Sequence, residues 1–375
     1  MSKKSLNDIF NKFYELTNIL LTKADYYFII GKRSNGKTFS VKKRIIEKAW
    51  NEKKDAAIIR RYEEDFKKGR GAKLFKDIVD KGLVEEITQG VYNTIVYKSM
   101  SWTFAKTTTD EDGNTSLILA QEPFCYAFAL SSGEHDKSTS HASNVFTILF
   151  DEVITRNGYL PDEFVTYMNV LSTIIRLRDG VEIFMLGNTV NKYCPYFDEM
   201  GLKNVKYMEQ GTIDVYTYGE SGLKVAVEYC ADNEEQSKTS NKYFAFNNPK
   251  LQMITNGIWE LDIYPHLPVK YKPKNILFTY FVKFDSDILQ CEILQIDDKI
   301  FTYIHKKTTD IKNENDVVFS TEYSISNYHF RNITKPNNDV CKKIWWFFVN
   351  EKVFYQDNET GEIIRNYIEW CKKLT

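Results

Sequence analysis

Residues 26–38 read YYFIIGKRSNGKT, and this stretch decides the fold of the first part of the chain. The mostly apolar run from Tyr26 to Gly31 predicts a buried strand, and the polar loop after it leads into a helical pattern at 39–50, FSVKKRIIEKAW. A second apolar run, AAIIRR, follows at 56–61. Strand, loop, helix and strand in this order predict an α/β fold with a parallel sheet and a right-handed crossover.

The loop inside this unit matches the P-loop pattern G-x-x-x-x-G-K-[ST] at every position. The predicted ATP-binding residues are Gly31, Lys32, Arg33, Ser34, Asn35, Gly36, Lys37 and Thr38. In such loops the glycines let the backbone wrap a phosphate, and the N-terminus of the next helix attracts its charge. We expect Lys37 to bridge phosphates as a catalytic residue and Thr38 to bind Mg²⁺. An ordinary glycine turn is the alternative, and the flanking strand and helix disfavour it.

A second apolar strand ends in two acids. Residues 145–150 read VFTILF, and Asp151 and Glu152 follow directly. Unpaired carboxylates are costly in a core, so both should lie at a solvated edge of the sheet. This Walker B pattern predicts Asp151 as a Mg²⁺ ligand and Glu152 as the catalytic residue that orients the attacking water. The second acid favours a three-layer α/β/α ATPase of the additional-strand (ASCE) type over a GTPase.

Three polar residues lie at the C-terminal ends of the next predicted helix and strand. Arg176 and Arg178 end the helical segment before VEIFMLGN, where either would serve as an arginine finger for a neighbouring subunit. The alternative is an arginine that the helix dipole favours at a C-terminus. Asn188 ends the strand, where its side chain would contact the γ-phosphate as an ATP-binding residue or simply form a turn.

Basic residues at two further places are candidates for phosphate contacts. Arg60 and Arg61 end the second strand, where they would contact nucleotide or DNA, or pair with Glu63 and Glu64. We expect Arg60 among the ATP-binding residues. Lys137 lies in the polar loop before the Walker B strand, where it would act at a subunit interface or on DNA, or remain solvated.

Hydrophobic periodicity divides the chain into three parts. Spaced apolar residues predict an amphipathic helix over 1–24, and short strand patterns at 90–130 predict antiparallel hairpins inserted before the sheet resumes. We expect the P-loop ATPase domain at 1–205. Asn-, Ser-, Glu- and Lys-rich sequence predicts a linker or small subdomain at 206–255, and successive strand patterns predict a second, smaller α/β domain at 256–375.

Composition excludes several classes of protein. A hydrophobic share of 43%, with only 8 Pro and 17 Gly in 375 residues, excludes collagen-like and bulk disordered chains. No apolar run approaches the roughly 20 residues of a membrane span, and the sequence MSKKSLNDIF lacks the apolar core of a signal peptide, so we expect an intracellular, soluble protein. The six scattered cysteines contain no C-x-x-C pair, which argues against a zinc site or a disulfide framework.

Charge is unevenly distributed although the net charge is −1. Residues 1–70 contain 18 Lys and Arg against 9 Asp and Glu. This part of the chain would face a polyanion, or it would present a solvated basic helix face around Lys42, Lys43, Arg44 and Lys48.

The motifs occur in an order that resembles one known family. FIIGKRSNGKT, IIRRYEEDF and VFTILFDEVITR follow one another, and the most specific stretch runs from Phe146 to Phe197. It contains a Tyr-x-Pro-x-Glu element at 159–163, the Arg-x-Arg pair, the Gly-Asn strand end and an Asn-x-x-x-Pro-Tyr-Phe element at 191–197. This arrangement resembles the DNA-packaging (encapsidation) ATPase of φ29-like tailed phages over about the first 200 residues.

The resemblance implies a homopentameric ring motor that docks at the portal (connector) of the viral prohead in the host cell cytoplasm. Such a motor pumps double-stranded viral DNA with the energy of ATP hydrolysis and uses Mg²⁺. By resemblance, Arg176 rather than Arg178 acts in trans, and Lys137 acts at the interface or on DNA.

For the second domain, the resemblance implies a vestigial RNase H-like nuclease that engages a packaging RNA and the portal. Four acids in it, Asp285, Asp287, Asp297 and Asp298, lie near predicted strand ends or turns. A two-metal nuclease needs carboxylates that converge. We interpret these four as turn residues.

Three other functions remain open at this point. The first is a terminase-like motor whose C-terminal domain still cuts DNA. The second is a P-loop nucleotide switch that is not coupled to DNA. The third is a basic nucleic-acid-binding module with a decayed ATPase, and it is the least favoured because Lys37, Thr38, Asp151 and Glu152 are all present.

Overall fold

The computed structural model describes residues 14–67, 69–132, 144–156, 158–231, 258–260 and 262–374, together with the single positions 253 and 256. The chain folds into two compact units, Met1–Trp259 and Glu260–Thr375. In the described part of the chain, none of the helices combines the length and the apolar character that crossing a membrane requires.

The first unit is built on a ten-stranded mixed sheet. Its strands are β1 (Tyr26–Gly31), β2 (Asp55–Arg60), β3 (Thr94–Lys98), β4 (Ser101–Thr109), β5 (Thr115–Leu119), β6 (Cys125–Ala129), β7 (Val145–Asp151), β8 (Glu182–Asn188), β9 (Thr212–Tyr218) and β10 (Leu223–Tyr229). Their order is β3-β4-β6-β2-β7-β8-β1-β10-β9, with β5 paired to β4. The six strands from β6 to β10 in this order are parallel, and the strands at both margins are antiparallel.

Helices cover both faces of this sheet. They are α1 (Thr17–Leu20), α2 (Lys37–Asn51), α3 (Arg70–Lys73), α4 (Lys76–Asp80), α5 (Leu83–Ile87), α6 (Glu163–Ile175) and α7 (Pro195–Glu199), with 3₁₀ turns at Glu63–Asp65 and Val205–Tyr207. Alternate residues of β1 enter two separate apolar clusters, because successive side chains of a strand point to opposite faces. Phe28 packs in the cluster that contains Leu171 of α6, and Ile29 packs in the one that contains Ile45 of α2.

Two sequence expectations about this unit are corrected. The segment Cys125–Ala129, which we expected to be part of the inserted hairpins, is the parallel neighbour of β2 and lies inside the main sheet. Its run of small and apolar residues suits a strand that is covered on both faces. The N-terminal helix ends at Leu20 and a turn precedes β1, while residues 1–13 of the expected helix lie outside the described residues.

The region after residue 205 also differs from the expected linker. Strand β10 pairs in parallel with β1, and β9 pairs antiparallel to β10, so both extend the main sheet. Residues Val225 to Tyr229 are buried, which explains why a run that contains Lys224 and Glu228 still forms a strand beside the sheet centre. The rest of the expected linker, 232–252, lies outside the described residues.

The second unit contains a six-stranded sheet. Its elements are a 3₁₀ turn Pro273–Asn275, β11 (Ile276–Phe284), β12 (Asp287–Ile296), β13 (Lys299–Lys306), β14 (Val317–Ser320), β15 (His329–Phe330), α8 (Asp339–Val349), β16 (Val353–Tyr355) and α9 (Asn358–Lys373). The strand order is β15-β14-β11-β12-β13-β16. The first three strands form an antiparallel meander. The remaining strands pair in parallel with their neighbours.

Candidate functional site

The carboxyl ends of four parallel strands meet at one edge of the first sheet. In the register of β1 and β8, Gly31 lies opposite Asn188, and Asp151 at the end of β7 lies opposite Leu186 of β8. Arg60 ends β2 on the other side of β7. A cavity of about 810 Å³ opens at this edge, and its lining comes from the Gly31–Thr38 loop, from the ends of β7 and β8, and from Arg61 directly after β2.

Lys37 is held by oxygen atoms of its own loop. Its ammonium Nζ donates to the carbonyl oxygens of Gly31 at 3.2 Å and Lys32 at 2.8 Å, and to Asn35 Oδ1 at 3.1 Å. The residue is only 5% exposed, and this burial lowers the pKa of Lys37 to about 8, against the opposing effects of Cys230 and Asp151. The amine is therefore preorganised near the cavity in a place where its charge is poorly solvated.

Two glycines shape the loop for different reasons. Gly36 has φ of 96° and stands directly before α2, a conformation that other residues rarely adopt. Gly31 has no room for a side chain, because an added Cβ would lie 2.9 Å from Cys230 Cβ and 3.1 Å from Asn35 Nδ2. The first glycine of the motif thus permits the residue after β10 to approach the loop closely, in addition to the role we expected for it toward phosphate.

The predicted metal residues lie together. The Thr38 hydroxyl donates to Asp151 Oδ1 at 3.2 Å, so the first turn of α2 and the end of β7 supply oxygen atoms at one point of the cavity. A hydroxyl and a carboxylate are hard oxygen donors of the kind that Mg²⁺ prefers. The donor set therefore fits the expected ion.

Arg60 faces the two acids. One guanidinium nitrogen, Nη2, lies 2.8 Å from Asp151 Oδ2, and the other, Nη1, lies 3.1 Å from Glu152 Oε2. Its Nε is buried and has no hydrogen-bond partner among the described residues. The alternative pairing of Arg60 with Glu63 or Glu64 is therefore wrong, since both terminal nitrogens are engaged with the Walker B acids.

Glu152 combines an exposed side chain with an unusual backbone. Its side chain is 64% exposed at the rim of the cavity, so the carboxylate can reach solvent as a water-orienting group must. Its φ of 64° lies in the left-handed region, and its amide donates to Asp151 Oδ1 at 3.1 Å. The chain thus turns sharply at the second acid, immediately after β7 ends.

Arg61 points away from Arg60 into the protein. Its guanidinium forms a two-bond ion pair with Glu163 at the start of α6, with Nε–Oε2 at 2.8 Å and Nη2–Oε1 at 2.9 Å. It also donates to the backbone carbonyls of Glu152 and Val153. The expected pairing of Arg61 with Glu63 or Glu64 is therefore wrong, whereas a contact of Arg61 with phosphates stays a prediction, since this residue also lines the cavity. Sequence patterns gave Glu163 no role of its own, although it is the last residue of the Tyr-x-Pro-x-Glu element.

Asn188 is a strand residue that faces the phosphate loop. Its Oδ1 accepts a hydrogen bond of 3.4 Å from Lys37 Nζ, and it lines the cavity. It ends β8 and belongs to no isolated turn. Arg33 and Ser34 also line the cavity from the loop, and Arg156 lines it from the segment after β7. Sequence patterns did not single out Arg156, which follows no strand directly.

The two arginines after α6 lie elsewhere. Arg176 is exposed, has φ of 46°, and donates from Nε to the carbonyl of Thr173 at 3.3 Å. Arg178 is half buried; it donates to the carbonyl of Ile174 and lies 5.9 Å from the centre of the Phe146 ring. Neither arginine lines the cavity. Arg176 is thus the more exposed of the two side chains, while Arg178 caps the C-terminal end of α6. Lys137 lies outside the described residues.

The four acids of the second unit do not converge into a metal site. Asp285 and Asp297 have φ of 55° and 51°, and with Asp298 they occupy the tight turns after β11 and β12. Asp287 is the first residue of β12, so its interpretation as a turn residue is wrong, and its Oδ1 lies 3.9 Å from Lys306 Nζ. Among the described residues no group of three or more His, Cys, Asp and Glu side chains is arranged to hold a metal ion.

Comparison with known proteins gives DNA packaging proteins of Bacillus phages among the relatives. The chain is 28% identical over 179 residues to the DNA packaging protein of Bacillus phage B103, which is 47% of each chain, and 26% identical over 189 residues to that of Bacillus phage phi29, which is 49% of each. The chain thus spans about half the length of these curated relatives. The solved bacteriophage Phi-29 viral genome packaging motor assembly shares its fold, with a TM-score of 0.54 at 18% identity over 96% of this chain and 99% of that one.

The family model for Podovirus DNA encapsidation proteins matches residues 9–207, more than half of the chain. That stretch includes the phosphate loop, both acids, Asn188 and the Arg176 position. The match confirms the resemblance seen in the motif order. The chain therefore belongs to the Podovirus DNA encapsidation protein (Gp16) family.

Proposed function

We propose that this protein is an ATP-driven motor that translocates double-stranded viral DNA into the prohead. The observation that carries the proposal is the cavity at which Lys37, Thr38, Asp151 and Glu152 meet, in a chain of a DNA encapsidation family. Phosphate transfer needs positioned cations, a metal site and an acid that orients water, and these four residues supply each of them.

Phosphate binding is assigned to the loop and to α2. The N-terminus of this 15-residue helix points its free amides at the phosphates, and the Lys37 ammonium exchanges its carbonyl partners for phosphate oxygens. Lys32, Arg33, Ser34 and Asn35 complete the loop, and the Asn188 amide contacts the γ-phosphate beside Lys37. Bound Mg²⁺ would be held by Thr38 and Asp151 and would neutralise the developing charge on the phosphates.

Hydrolysis is assigned to Glu152, whose exposed carboxylate aligns the attacking water. Arg60 competes with Mg²⁺ and water for the two acids, because its guanidinium binds one oxygen of each, Asp151 Oδ2 and Glu152 Oε2, and neutralises their charge. The predicted contact of Arg60 with nucleotide stays a prediction: a released guanidinium would lie next to the bound phosphates.

Arg176 is assigned to the nucleotide of a neighbouring subunit. Strand β7 ends at the cavity, α6 runs back along the sheet, and β8 starts at Glu182, six residues after Arg176, at the opposite edge. Seven residues of extended strand span about 20 Å, which an arginine side chain does not bridge. An arginine finger at this position therefore acts only in trans, which supports a ring of subunits that we propose to be a pentamer.

The finer fold assignment follows from strand order. β8 lies between the phosphate-loop strand β1 and the Walker B strand β7, which supports an additional-strand (ASCE) P-loop ATPase. In the second unit, a three-stranded meander is followed by β14 and β15 in parallel on the far side of its first strand, which supports a vestigial RNase H-like nuclease. We propose domains at 1–259 and 260–375 in place of the boundaries at 205 and 256.

The remaining partners follow from the family. We propose that the ring docks on the portal of the prohead in the host cytoplasm, that a packaging RNA assists it, and that Lys137 acts at the interface or on DNA. Binding to the DNA phosphate backbone does not depend on sequence, as packaging of a whole genome requires. We expect this binding to weaken steeply with salt.

The test is steady-state ATP hydrolysis with and without double-stranded DNA. Wild type, Lys37→Ala, Arg176→Ala and an equimolar mixture of the two variants are compared. We expect stimulation by DNA, two inactive variants, and partial activity in the mixture, because Arg176 of the first variant completes an intact site of the second. Full turnover by Lys37→Ala would contradict the site.

Two alternative functions predict different results, the first in the same assay and the second in an assay of DNA cleavage. Turnover that ignores DNA and does not need Arg176 would indicate a nucleotide switch. DNA cleavage that needs a divalent ion and is lost in Asp285→Ala would indicate an active C-terminal nuclease.

A further inference from the structure

A buried ion pair lies directly behind the Walker B acids. Arg61 and Glu163 are 6% and 3% exposed, and each has its charge compensated by the other. Glu163 Oε2 accepts from Arg61 Nε and from the Leu160 amide at 2.7 Å, while Oε1 accepts from Arg61 Nη2 and from the Tyr196 hydroxyl at 3.0 Å. Both carboxylate oxygens thus have two donors, and the pair is held in one geometry.

The same guanidinium holds the chain that follows β7. Arg61 Nη1 donates to the carbonyl of Glu152 at 3.1 Å, and Nη2 donates to the carbonyl of Val153 at 3.0 Å. Glu152 has a left-handed φ of 64°, a conformation that is unfavourable for a residue with a side chain. Because the guanidinium fixes the carbonyl of this residue, it fixes the direction in which the Glu152 side chain leaves the backbone.

Helix α6 belongs to the same assembly. Glu163 is its first residue, and the helix continues for 13 residues to Ile175, directly before Arg176. The Tyr196 ring packs against Phe150 of β7 and Tyr167 of α6. One ion pair therefore joins the end of β2, the turn at the catalytic acid and the helix that leads to the trans-acting arginine.

We propose that Arg61 and Glu163 are positioning residues that set the backbone orientation of Glu152 and tie it to α6. The proposal rests on the proposed function, since it concerns the acid that aligns water there. Apolar side chains of similar volume would join these elements without the desolvation cost of a buried ion pair. The polar pair is needed because only a guanidinium, with several N–H donors in one plane, can bind two successive backbone carbonyls and a carboxylate at the same time.

The first unit contains a matched control. Arg44 of α2 forms the same two-bond ion pair with Glu182 at the start of β8, with Nε–Oε2 at 2.9 Å and Nη2–Oε1 at 2.6 Å. That pair lies at the opposite edge of the sheet from the cavity, away from Asp151 and Glu152. Glu182 is more exposed than Glu163 and also lies 3.1 Å from Lys48 Nζ, so Glu182→Gln weakens a comparable two-bond ion pair without touching the catalytic turn.

The experiment compares ATP turnover of wild type, Lys37→Ala, Glu163→Gln and Glu182→Gln, with thermal unfolding of each. We expect Glu163→Gln to lower kcat about 10- to 100-fold, since misplacement of a catalytic group by about 1 Å has effects of this size. Its KM for ATP should stay within about twofold, because Glu152 acts on water and contributes little to ground-state binding. Glu182→Gln should keep the kcat of wild type even if its Tm falls by as much as the Tm of Glu163→Gln.

Each outcome decides the question. Equal kcat values in Glu163→Gln and Glu182→Gln, with active wild type and inactive Lys37→Ala, would overturn the positioning role and leave the proposed function standing. Wild type that does not hydrolyse ATP would overturn both. A KM increase with unchanged kcat in Glu163→Gln would also overturn the positioning role.

A second variant covers the case in which Glu163→Gln fails to fold. Tyr196→Phe keeps the buried ring and removes only the hydroxyl that donates to Glu163. We expect a folded protein with kcat reduced about threefold and unchanged KM, because the charged Glu163 carboxylate loses one of its four donors and keeps both donors from Arg61. A kcat equal to that of wild type would contradict the proposal.

Discussion

The two sheets of this protein distribute their acids in opposite ways. In the first unit, parallel strands β1, β2, β7 and β8 all end at one edge, so residues far apart in sequence meet in one cavity. In the second unit, β11, β12 and β13 form a meander, and Asp285 and Asp297 fall in turns at its two opposite ends.

The difference shows how topology decides whether charged strand ends become a site. Crossover connections return each parallel strand to the same starting edge, so every carboxyl end contributes to one surface. A tight hairpin turns the chain at once, so successive turns of a meander lie at opposite edges. The following expectations test this contrast, from the largest effect to the smallest.

The largest effect should come from the acid at the end of β7. Asp151→Asn removes the charge that faces Thr38 and Arg60, and we expect kcat to fall about 1,000-fold because charge stabilisation at the phosphates is lost. Asp297→Asn in the second unit is the matched control, and steady-state ATP hydrolysis measures both. Comparable losses in the two variants would break the contrast between the sheets.

A pH titration should detect Lys37, the buried lysine at the carboxyl ends of the parallel strands in the first sheet. The pKa of Lys37 is lowered to about 8, and bound phosphates favour its charged form. ATP affinity should therefore be constant below pH 8 and fall up to about tenfold per pH unit above it, because binding must then take up a proton. Fluorescence titration with a nucleotide analogue from pH 7 to 10 measures this change. In Lys37→Met the break near pH 8 should vanish; a break that persists would assign it to another group.

Arg60 should make the acids less available to Mg²⁺. Arg60→Gln removes the guanidinium that lies 2.8 Å from Asp151 Oδ2, so we expect the Mg²⁺ concentration for half-maximal nucleotide binding to fall about fivefold. Binding of the nucleotide analogue across a Mg²⁺ series measures it. Arg44→Gln, which lies beside Glu182, is the control and should leave the Mg²⁺ dependence unchanged. A higher Mg²⁺ requirement in Arg60→Gln would show that the arginine supports the metal site.

The smallest effects should come from the turns of the second sheet. Asp297→Asn keeps a residue that tolerates its left-handed φ of 51°, so we expect less than about 0.5 kcal/mol change in the free energy of unfolding. Chemical denaturation measures it, and ATP turnover should equal that of wild type. A large loss of stability would show that the carboxylate itself holds the turn.

The sequence predicts the parts of the site that depend on local patterns. The Gly31–Thr38 loop and the acids at 151–152 follow directly from motifs beside apolar strands, and the structure brings them to one edge. The partner strands of β6 and of β10 could not be predicted, because a short apolar run does not reveal which strand it pairs with. Local pattern also could not find the Arg61–Glu163 pair, since 102 residues separate two charges that alone look like solvated ones.

The position of β1 in the sheet has a consequence for synthesis of the chain. Its two neighbours are β8 and β10, so Tyr26 pairs with Ile183 and Val225, both of which are synthesised long after it. Contacts of such sequence separation close slowly, because a long loop must be ordered before they form. The nascent chain therefore cannot complete both pairings of β1, the strand that leads into the phosphate loop, until Tyr229 has left the ribosome. The sheet edge that presents this loop is thus assembled late, although the loop itself is among the first parts of the chain to be made.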